Sequence, residues 1–302
     1  CIRDRDKMSS IIYKKNKKFY ILLCLPAIVF YTLSVLYPLI GVTLPASFFN
    51  WNILEGTKQF NGIENYIRLF KEEAFRDAMF FTLKLAVVTV LGSNILAFMV
   101  AYFLQAKIFA KGLSRAGFFI PNIINGIMVS FVWSFIFTQG IPILAKKIGF
   151  EKLASLSWFG TPSMAAVSVF IVTIWQGMGF IMIIYVAGMQ SVSQELIEAA
   201  ELEGCNRLQK VLYVVIPMMM PTITVCLFVS IAGAFKAFDI PFALTSGGPS
   251  RSTATVALNI YDTAFTSFRT GYASAKSIVL FILVMIVALI QLRCTRKKEV
   301  QL

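Results

Sequence analysis

Six runs of roughly 20 apolar residues constrain this chain more than any other feature of its sequence. A helix of that length crosses the hydrocarbon core of a bilayer. The runs cover residues 19–41, 78–104, 117–137, 164–189, 218–238 and 274–293. We therefore expect an all-α, polytopic membrane protein with six transmembrane helices within residues 19–293.

Lys and Arg residues gather on one side of this arrangement. Six spans place both termini on one side, and that side carries 16 Lys and Arg residues against 9 on the other. Such an excess is typical of cytoplasmic connections. We expect the basic N-terminal segment (1–18) and the basic tail (294–302) to lie in the cytoplasm, and the first span to be an uncleaved anchor.

The residue inventory excludes several other functions. The net charge of +13 could indicate nucleic-acid binding, but the basic residues flank the spans instead of forming one surface. Histidine is absent and the five cysteines have no CxxC spacing, which argues against a metal site. No Gly-Lys dipeptide occurs, so a phosphate-binding loop of the GxxxxGK[ST] type is excluded and ATP hydrolysis would need a partner.

One connection on the basic side is unusual because it is acidic. We call residues 190–217 the elbow, since their pattern predicts two short helices that meet at a turn. Ser191 with Gln194 resembles a capping box, and Gly204 suits a left-handed position that ends the first helix. Asn206 with Gln209 predicts the start of the second helix, and Pro217 its end.

Both short helices carry an apolar stripe that needs a packing surface. The stripes are Leu196, Ala199, Ala200 and Glu203, and Leu208, Val211, Leu212 and Val215. Helices of about a dozen residues are marginal alone in water. Two interpretations remain open: the elbow packs beneath its own helix bundle, or it docks onto a cytosolic protein. We favour docking.

The elbow resembles the signature of permease subunits of ATP-binding-cassette importers, in which Glu-Ala-Ala precedes Gly and later Pro. The matching residues here are Glu198, Ala199, Ala200, Gly204 and Pro217. Glu203 and Cys205 depart from the usual Asp and Ala. The segments "NGIENYIRLF" (61–70) and "LTSGGPSRSTATVALNIYDTAF" with "GYASAKSIVLF" (244–281) are similar to the carbohydrate-uptake branch of maltose, multiple-sugar and glycerol-phosphate systems.

This resemblance implies a type I importer permease fold in a bacterial cell membrane and a transport role without enzymatic activity. It implies that the elbow is an ATPase-coupling loop that inserts into an ATP-binding subunit. The implied partners are a dimer of that subunit, which holds ATP and Mg, a second homologous permease, and an extracytoplasmic sugar-binding protein. No cofactor is implied for this chain.

Polar side chains near the middle of spans are candidate solute contacts, because polar groups within a membrane are costly. Amides and aromatic rings suit sugar hydroxyls and C–H faces. The candidates are Asn94, Asn125, Trp133, Trp175 and Gln176. The alternative is that these side chains join neighbouring helices.

Three lysines lie within the spans: Lys84, Lys236 and Lys276. All three are toward the outer ends, where we expect their long side chains to reach water. Lys236 and Asp239 are three residues apart, so they could pair on one helix face. Alternatively, Lys236 meets an acidic or phosphorylated solute, and we include it among the candidate solute contacts.

The leading hypothesis is a permease subunit for a sugar, with an oligosaccharide expected. The alternative solutes are glycerol phosphate or another polyol. A membrane-embedded transferase would need acidic or histidine clusters at an interface, and a channel would need a repeated pore-lining ring.

Overall fold

The computed structural model describes residues 22–105 and 111–296. The basic N-terminal segment 1–18 and residues 297–302 of the basic tail lie outside these ranges. The helices are α1 (Leu22–Ala46), α2 (Glu64–Lys71), α3 (Glu73–Phe103), α4 (Lys111–Ile123), α5 (Gly126–Lys147), α6 (Glu151–Ala154), α7 (Pro162–Gln190), α8 (Gln194–Leu202), α9 (Arg207–Met218), α10 (Met220–Phe235), α11 (Val256–Tyr261) and α12 (Thr270–Arg296).

The apolar helices agree with the spans that the sequence predicts. Helices α1, α3, α5, α7 and α12 are each long and apolar enough to span a bilayer, and α9 and α10 pass the same test as a sixth span when the bent pair is taken together. Helix α3 packs along α7, and α10 packs against α3 and α12. The interior between them is filled by small and aliphatic side chains such as Ala97, Ala101 and Met182.

The third span is broken, whereas the sequence pattern predicts one helix over 117–137. Helix α4 ends at Ile123, and α5 begins at Gly126 with Asn125 as its N-cap. The Asn125 side chain accepts a 2.8 Å hydrogen bond from the Ile127 amide. Pro121 and Gly126 lie on either side of the break, and both residue types are unfavourable in the interior of a helix.

The fifth span bends by 76° between α9 and α10. Pro217 was expected to end the second helix of the elbow, and α9 ends one residue later, at Met218. A π-helical turn over Val211–Val215 precedes the proline, and the chain remains helical to Met218. A π turn shifts the hydrogen-bond register, which accommodates a residue without an amide proton. The bend lies at Met219, immediately before Met220 and Pro221.

A small two-stranded hairpin lies between α1 and α2 and was not predicted. Strands β1 (Phe49–Asn52) and β2 (Thr57–Phe60) are antiparallel, with Trp51 opposite Lys58. Helix α12 begins against β1: a Cβ at Gly271 would lie 2.0 Å from the Phe49 carbonyl oxygen. Four-residue strands are too short for their alternation to be distinguished from a loop.

The expectation that Lys276 reaches water is wrong. Its side chain is 1% exposed, and its ammonium lies 2.9 Å from a Glu72 carboxylate oxygen. The same ammonium donates hydrogen bonds to Asn259 Oδ1 (2.7 Å) and Thr263 Oγ1 (2.9 Å). The ion pair joins the α2–α3 junction to α12, where desolvation of the lysine is offset by three oxygen partners. Lys84, in contrast, is exposed and lies over the Phe170 ring.

Candidate functional site

Two cavities meet between α7 and α10. The central cavity, of about 230 Å³, has an uncharged lining whose polar members are Thr89, Ser93, Asn122, Thr173, Gln176 and Ser230. The second cavity, also about 230 Å³, shares Thr173, Gln176 and Gly233 with it and extends past the end of α10 to Lys236 and Asp239; we call it the outer cavity because it lies farther from the middle of the spans. Gln176 lies halfway along α7, so the central cavity is at the middle of a span.

Three hydroxyl groups that line the central cavity already donate their hydrogen bonds within their own helices. Thr89, Ser93 and Thr173 each donate to the carbonyl four residues earlier in their own helix, over 2.6–2.7 Å. Such bonds satisfy the hydroxyl donor inside a membrane while leaving oxygen lone pairs free. These walls therefore offer mainly acceptors to whatever enters the cavity.

Gln176 connects the central cavity to the break between α4 and α5. Its side-chain nitrogen donates a 2.9 Å hydrogen bond to the Ile124 carbonyl, and Asn122 Nδ2 lies 3.4 Å from the Gln176 backbone oxygen. A carbonyl released by a broken transmembrane helix must find a donor, because lipid supplies none. Gln176 supplies that donor.

Lys236 and Asp239 line the outer cavity without forming an ion pair within 4.0 Å in the described part of the chain. The prediction that they pair on one helix face is wrong, because α10 ends at Phe235 and both residues follow it. Asp239 instead packs on the start of α5: a Cβ at Gly126 would lie 2.8 Å from the Asp239 Cβ. A carboxylate beside a helix N-terminus is favourably placed.

Asn94 faces neighbouring helices and does not line either cavity. Its side-chain nitrogen donates to the Val90 carbonyl (2.8 Å) and to Ser230 Oγ (2.9 Å), and its oxygen accepts a 2.8 Å bond from Tyr185. These bonds join α3, α7 and α10. They favour the alternative in which the buried amide holds helices together.

Asn125, Trp133 and Trp175 also lie off the cavity walls. Asn125 caps α5. The two tryptophan rings are in edge contact at 5.4 Å, and Trp133 also lies 5.2 Å from Phe137. They belong to an aromatic cluster that fills the space between α5 and α7.

Of the six predicted solute residues, Gln176 and Lys236 line the cavities. The hydroxyl residues and Asn122 were missed, because Ser and Thr are common in transmembrane helices and carry no distinctive signal. The four-residue spacing of Thr89 and Ser93 was the available indication, since it places both on one helix face.

The elbow has the predicted two-helix form. Gly204 adopts φ +83°, and Asn206 and Gln209 form a reciprocal capping box at the start of α9. The predicted capping box at Ser191 is wrong: α8 starts at Gln194 after Ser193, and Ser191 Oγ donates to Gly188 instead. An ion pair between Lys210 and Glu201 holds the two helices together.

The elbow's apolar side chains are exposed in the single chain. Leu202, Leu208 and Tyr213 are 91%, 67% and 74% exposed, and of the two predicted stripes only Ala200 and Val215 are buried. Glu198 and Ala199 are exposed on α8. The elbow therefore does not bury these side chains under its own bundle.

Two named bacterial permease proteins are similar to this chain over most of its length. One, from Thermoanaerobacterium thermosulfurigenes, is named "Probable starch degradation products transport system permease protein AmyD"; it is 33% identical over 290 residues, covering 95% of this chain and 97% of the relative. Another, the "Multiple sugar-binding transport system permease protein MsmF" of Streptococcus mutans, is 35% identical over 254 residues, covering 84% and 87%.

A solved bacterial ABC transporter, described as involved in the import of the acidic polysaccharide alginate, has the same fold. Its matching chain superposes with a TM-score of 0.79 at 20% identity, covering 96% of this chain and 99% of the other. Residues 93–299 match the model of one family, described as "Binding-protein-dependent transport system inner membrane component". Together with the identities above, this match means that the chain belongs to the family of inner-membrane permease components of binding-protein-dependent ABC transport systems.

Proposed function

We propose that this permease passes a neutral sugar, with an oligosaccharide expected, through the central cavity. The observation that carries the proposal is the acceptor-rich, uncharged lining around Gln176 at the middle of α7. Sugar hydroxyls are donors as well as acceptors, and Thr89, Ser93 and Thr173 can accept from them. A carboxylate or phosphate would find few donors there.

The relatives support a carbohydrate. The names of two relatives refer to starch degradation products and to multiple sugars, and a third, 26% identical and from Thermococcus litoralis, is named a trehalose/maltose permease protein. A sugar passing from the outside would meet the outer cavity before the central one. Residues 19–293 would act as one permease domain between the basic segments.

We further propose that the elbow couples this domain to an ATP-binding subunit. Its exposed leucines and Tyr213 form an apolar surface beside Glu198, Ala199 and Ala200, and Gly204 and Pro217 shape the two helices. Both termini and the elbow would lie in the cytoplasm. ATP and Mg would bind to a dimer of the partner subunit, and a second permease and an extracytoplasmic sugar-binding protein would complete the importer.

A phosphorylated polyol such as glycerol phosphate is the second candidate, because Lys236 lines the outer cavity. Asp239 lines the same cavity and offsets the lysine charge. A neutral solute therefore agrees better with both side chains.

The test is ATP-driven uptake by the assembled importer in proteoliposomes, with maltotriose and glycerol 3-phosphate as solutes. We expect uptake of the neutral oligosaccharide, and no dependence of that uptake on the Lys236 charge in Lys236→Met. Uptake of glycerol 3-phosphate alone, abolished by Lys236→Met, would reject the neutral-sugar assignment.

A further inference from the structure

A third cavity, of about 290 Å³, lies between α4 and α7 at the elbow end of the bundle. We call it the Arg115 cavity. The two helices are in close contact at Gly179, where a Cβ would lie 2.0 Å from the Phe118 carbonyl oxygen. The cavity opens on the elbow side of this contact and extends to Gln190, the last residue of α7.

Arg115 lies at the wall of this cavity, and no hydrogen bond of its guanidinium is found among the described residues. Its Nε is buried without a hydrogen-bond partner, and Arg115 forms no ion pair among residues 22–105 and 111–296. No acidic side chain lines the cavity, and Gln190 adds an exposed amide at its mouth. A buried N–H donor without a protein partner suits an anion or another acceptor beside it.

The remaining walls are apolar. Phe119, Ile183 and Val186 line the cavity below the two polar side chains, together with two alanines. Ile183 is 38% exposed, so this wall is open at the side of the bundle. A ligand that fits must place an anion at Arg115 and hydrocarbon along α7.

We propose that the Arg115 cavity binds the phosphate of an anionic phospholipid, with an acyl chain along Phe119 and Ile183. Guanidinium matches phosphate oxygens through paired N–H donors, and basic pockets between transmembrane helices bind acidic headgroups on the cytoplasmic side. Inorganic phosphate shares the headgroup chemistry but would leave the apolar walls uncovered. Because the cavity extends to Gln190 at the end of α7, the bound lipid would lie beside the start of the elbow.

Native mass spectrometry of the full chain, released from nanodiscs of phosphatidylcholine and phosphatidylglycerol, tests this assignment. We expect one retained phosphatidylglycerol per chain, and a loss of retention of roughly tenfold in Arg115→Met, as removal of a charged hydrogen bond implies. The matched control is Arg293→Met, which removes an exposed arginine from the same end of the bundle. It should retain the lipid.

Two further arms separate the possible explanations. Ile183→Trp narrows the apolar wall while keeping Arg115, so it should also lose the lipid even if Arg115→Met folds poorly. Adding inorganic phosphate should not displace the lipid. Equal retention in wild type, Arg115→Met and Ile183→Trp would overturn the site, and displacement by phosphate would overturn the lipid assignment in favour of a soluble anion.

Discussion

Single residues in this permease divide into those that hold helices together and those that remain open to a solute. Asn94 has both ends of its amide occupied by other helices, whereas Gln176 uses its nitrogen and leaves its oxygen without a hydrogen-bond partner among the described residues. The sequence placed both amides near the middle of spans. It could not separate them, because the difference lies in the partners that each side chain meets after folding.

We therefore expect Gln176→Leu to change mainly solute preference and Asn94→Leu to change mainly stability. Asn94→Leu removes the acceptor of the Tyr185 hydroxyl and one of the two hydrogen bonds of Ser230. We expect a loss of roughly 2 kcal/mol of stability with solute preference unchanged. Gln176→Leu should change the preference among oligosaccharides in uptake assays, with a smaller loss of stability from one bond to Ile124. Identical transport kinetics for Gln176→Leu and wild type would remove Gln176 from the solute path.

Glu72 provides a pH-dependent contribution to stability. Burial alone would raise the pKa of its carboxyl, but hydrogen bonds from Tyr272 and Lys276 and the charges of Lys276 and Arg68 hold that pKa below its ordinary value of 4.5. A carboxyl with a lowered pKa in the folded state stabilises it above the unfolded pKa. This contribution is lost as the pH falls through the folded pKa.

Thermal unfolding of Glu72→Gln in detergent measures this contribution. Breaking a fully buried ion pair costs roughly 3 to 5 kcal/mol of stability. The Glu72 side chain is 31% exposed, so at neutral pH we expect the variant to lose less than this amount. Below pH 4.5 the difference between variant and wild type should shrink. A difference that stays constant down to acid pH would exclude the ion pair as its cause.

At the scale of helices, a break and a bend in the membrane-spanning segments position the cavity residue Gln176 and the elbow. The break between α4 and α5 brings Ile124 to Gln176, and the bend at Met219 separates the elbow from α10. Pattern predicts the number of spans well, since each span needs a fixed length of apolar residues. It predicts interruptions poorly, since a Pro or Gly is tolerated when a π turn or a neighbouring side chain satisfies the backbone. Pro217, which follows the π-helical turn over Val211–Val215, is an example.

Gly179→Ala tests the contact between α4 and α7. Its methyl group would lie 2.0 Å from the Phe118 carbonyl oxygen, so the helices must separate. We expect a loss of roughly 1 to 3 kcal/mol, as for other overpacked sites. Gly177→Ala is the matched control on the same helix, because nothing lies within 4 Å of its added carbon. Equal melting temperatures for both variants would contradict the close contact.

Gly204→Asp tests the elbow. Nothing lies within 4 Å of a Cβ at this position, but φ is +83°, which costs an ordinary residue roughly 1 to 2 kcal/mol. We expect normal insertion, loss of uptake, and loss of ATPase stimulation by the solute-binding protein, because the aspartate adds charge at the docking surface. Gly204→Asn has the same shape without the charge and should retain more uptake. Unchanged uptake in Gly204→Asp would remove this turn from coupling.

The whole molecule is a transport component, and ATP hydrolysis takes place on a separate subunit. Its central cavity has uncharged walls, its outer cavity holds one lysine and one aspartate, and the most exposed leucine of the described residues, Leu202 at 91%, lies on the elbow. The fold class, the six crossings and the elbow were predictable from apolar run lengths and from capping and turn residues. The buried Lys276, the hydroxyl lining and the hairpin depend on packing between distant segments, which no local pattern encodes.

Labelling of Leu202→Cys with a membrane-impermeant maleimide tests the central claim most directly, in a background where every cysteine except the buried Cys226 is serine. We expect labelling in inside-out vesicles, none in right-side-out vesicles, and protection once the ATP-binding subunit is assembled with the permeases. Labelling from the outside, or labelling that the assembled ATP-binding subunit leaves unchanged, would contradict the claim that this surface couples the permease to its energy source.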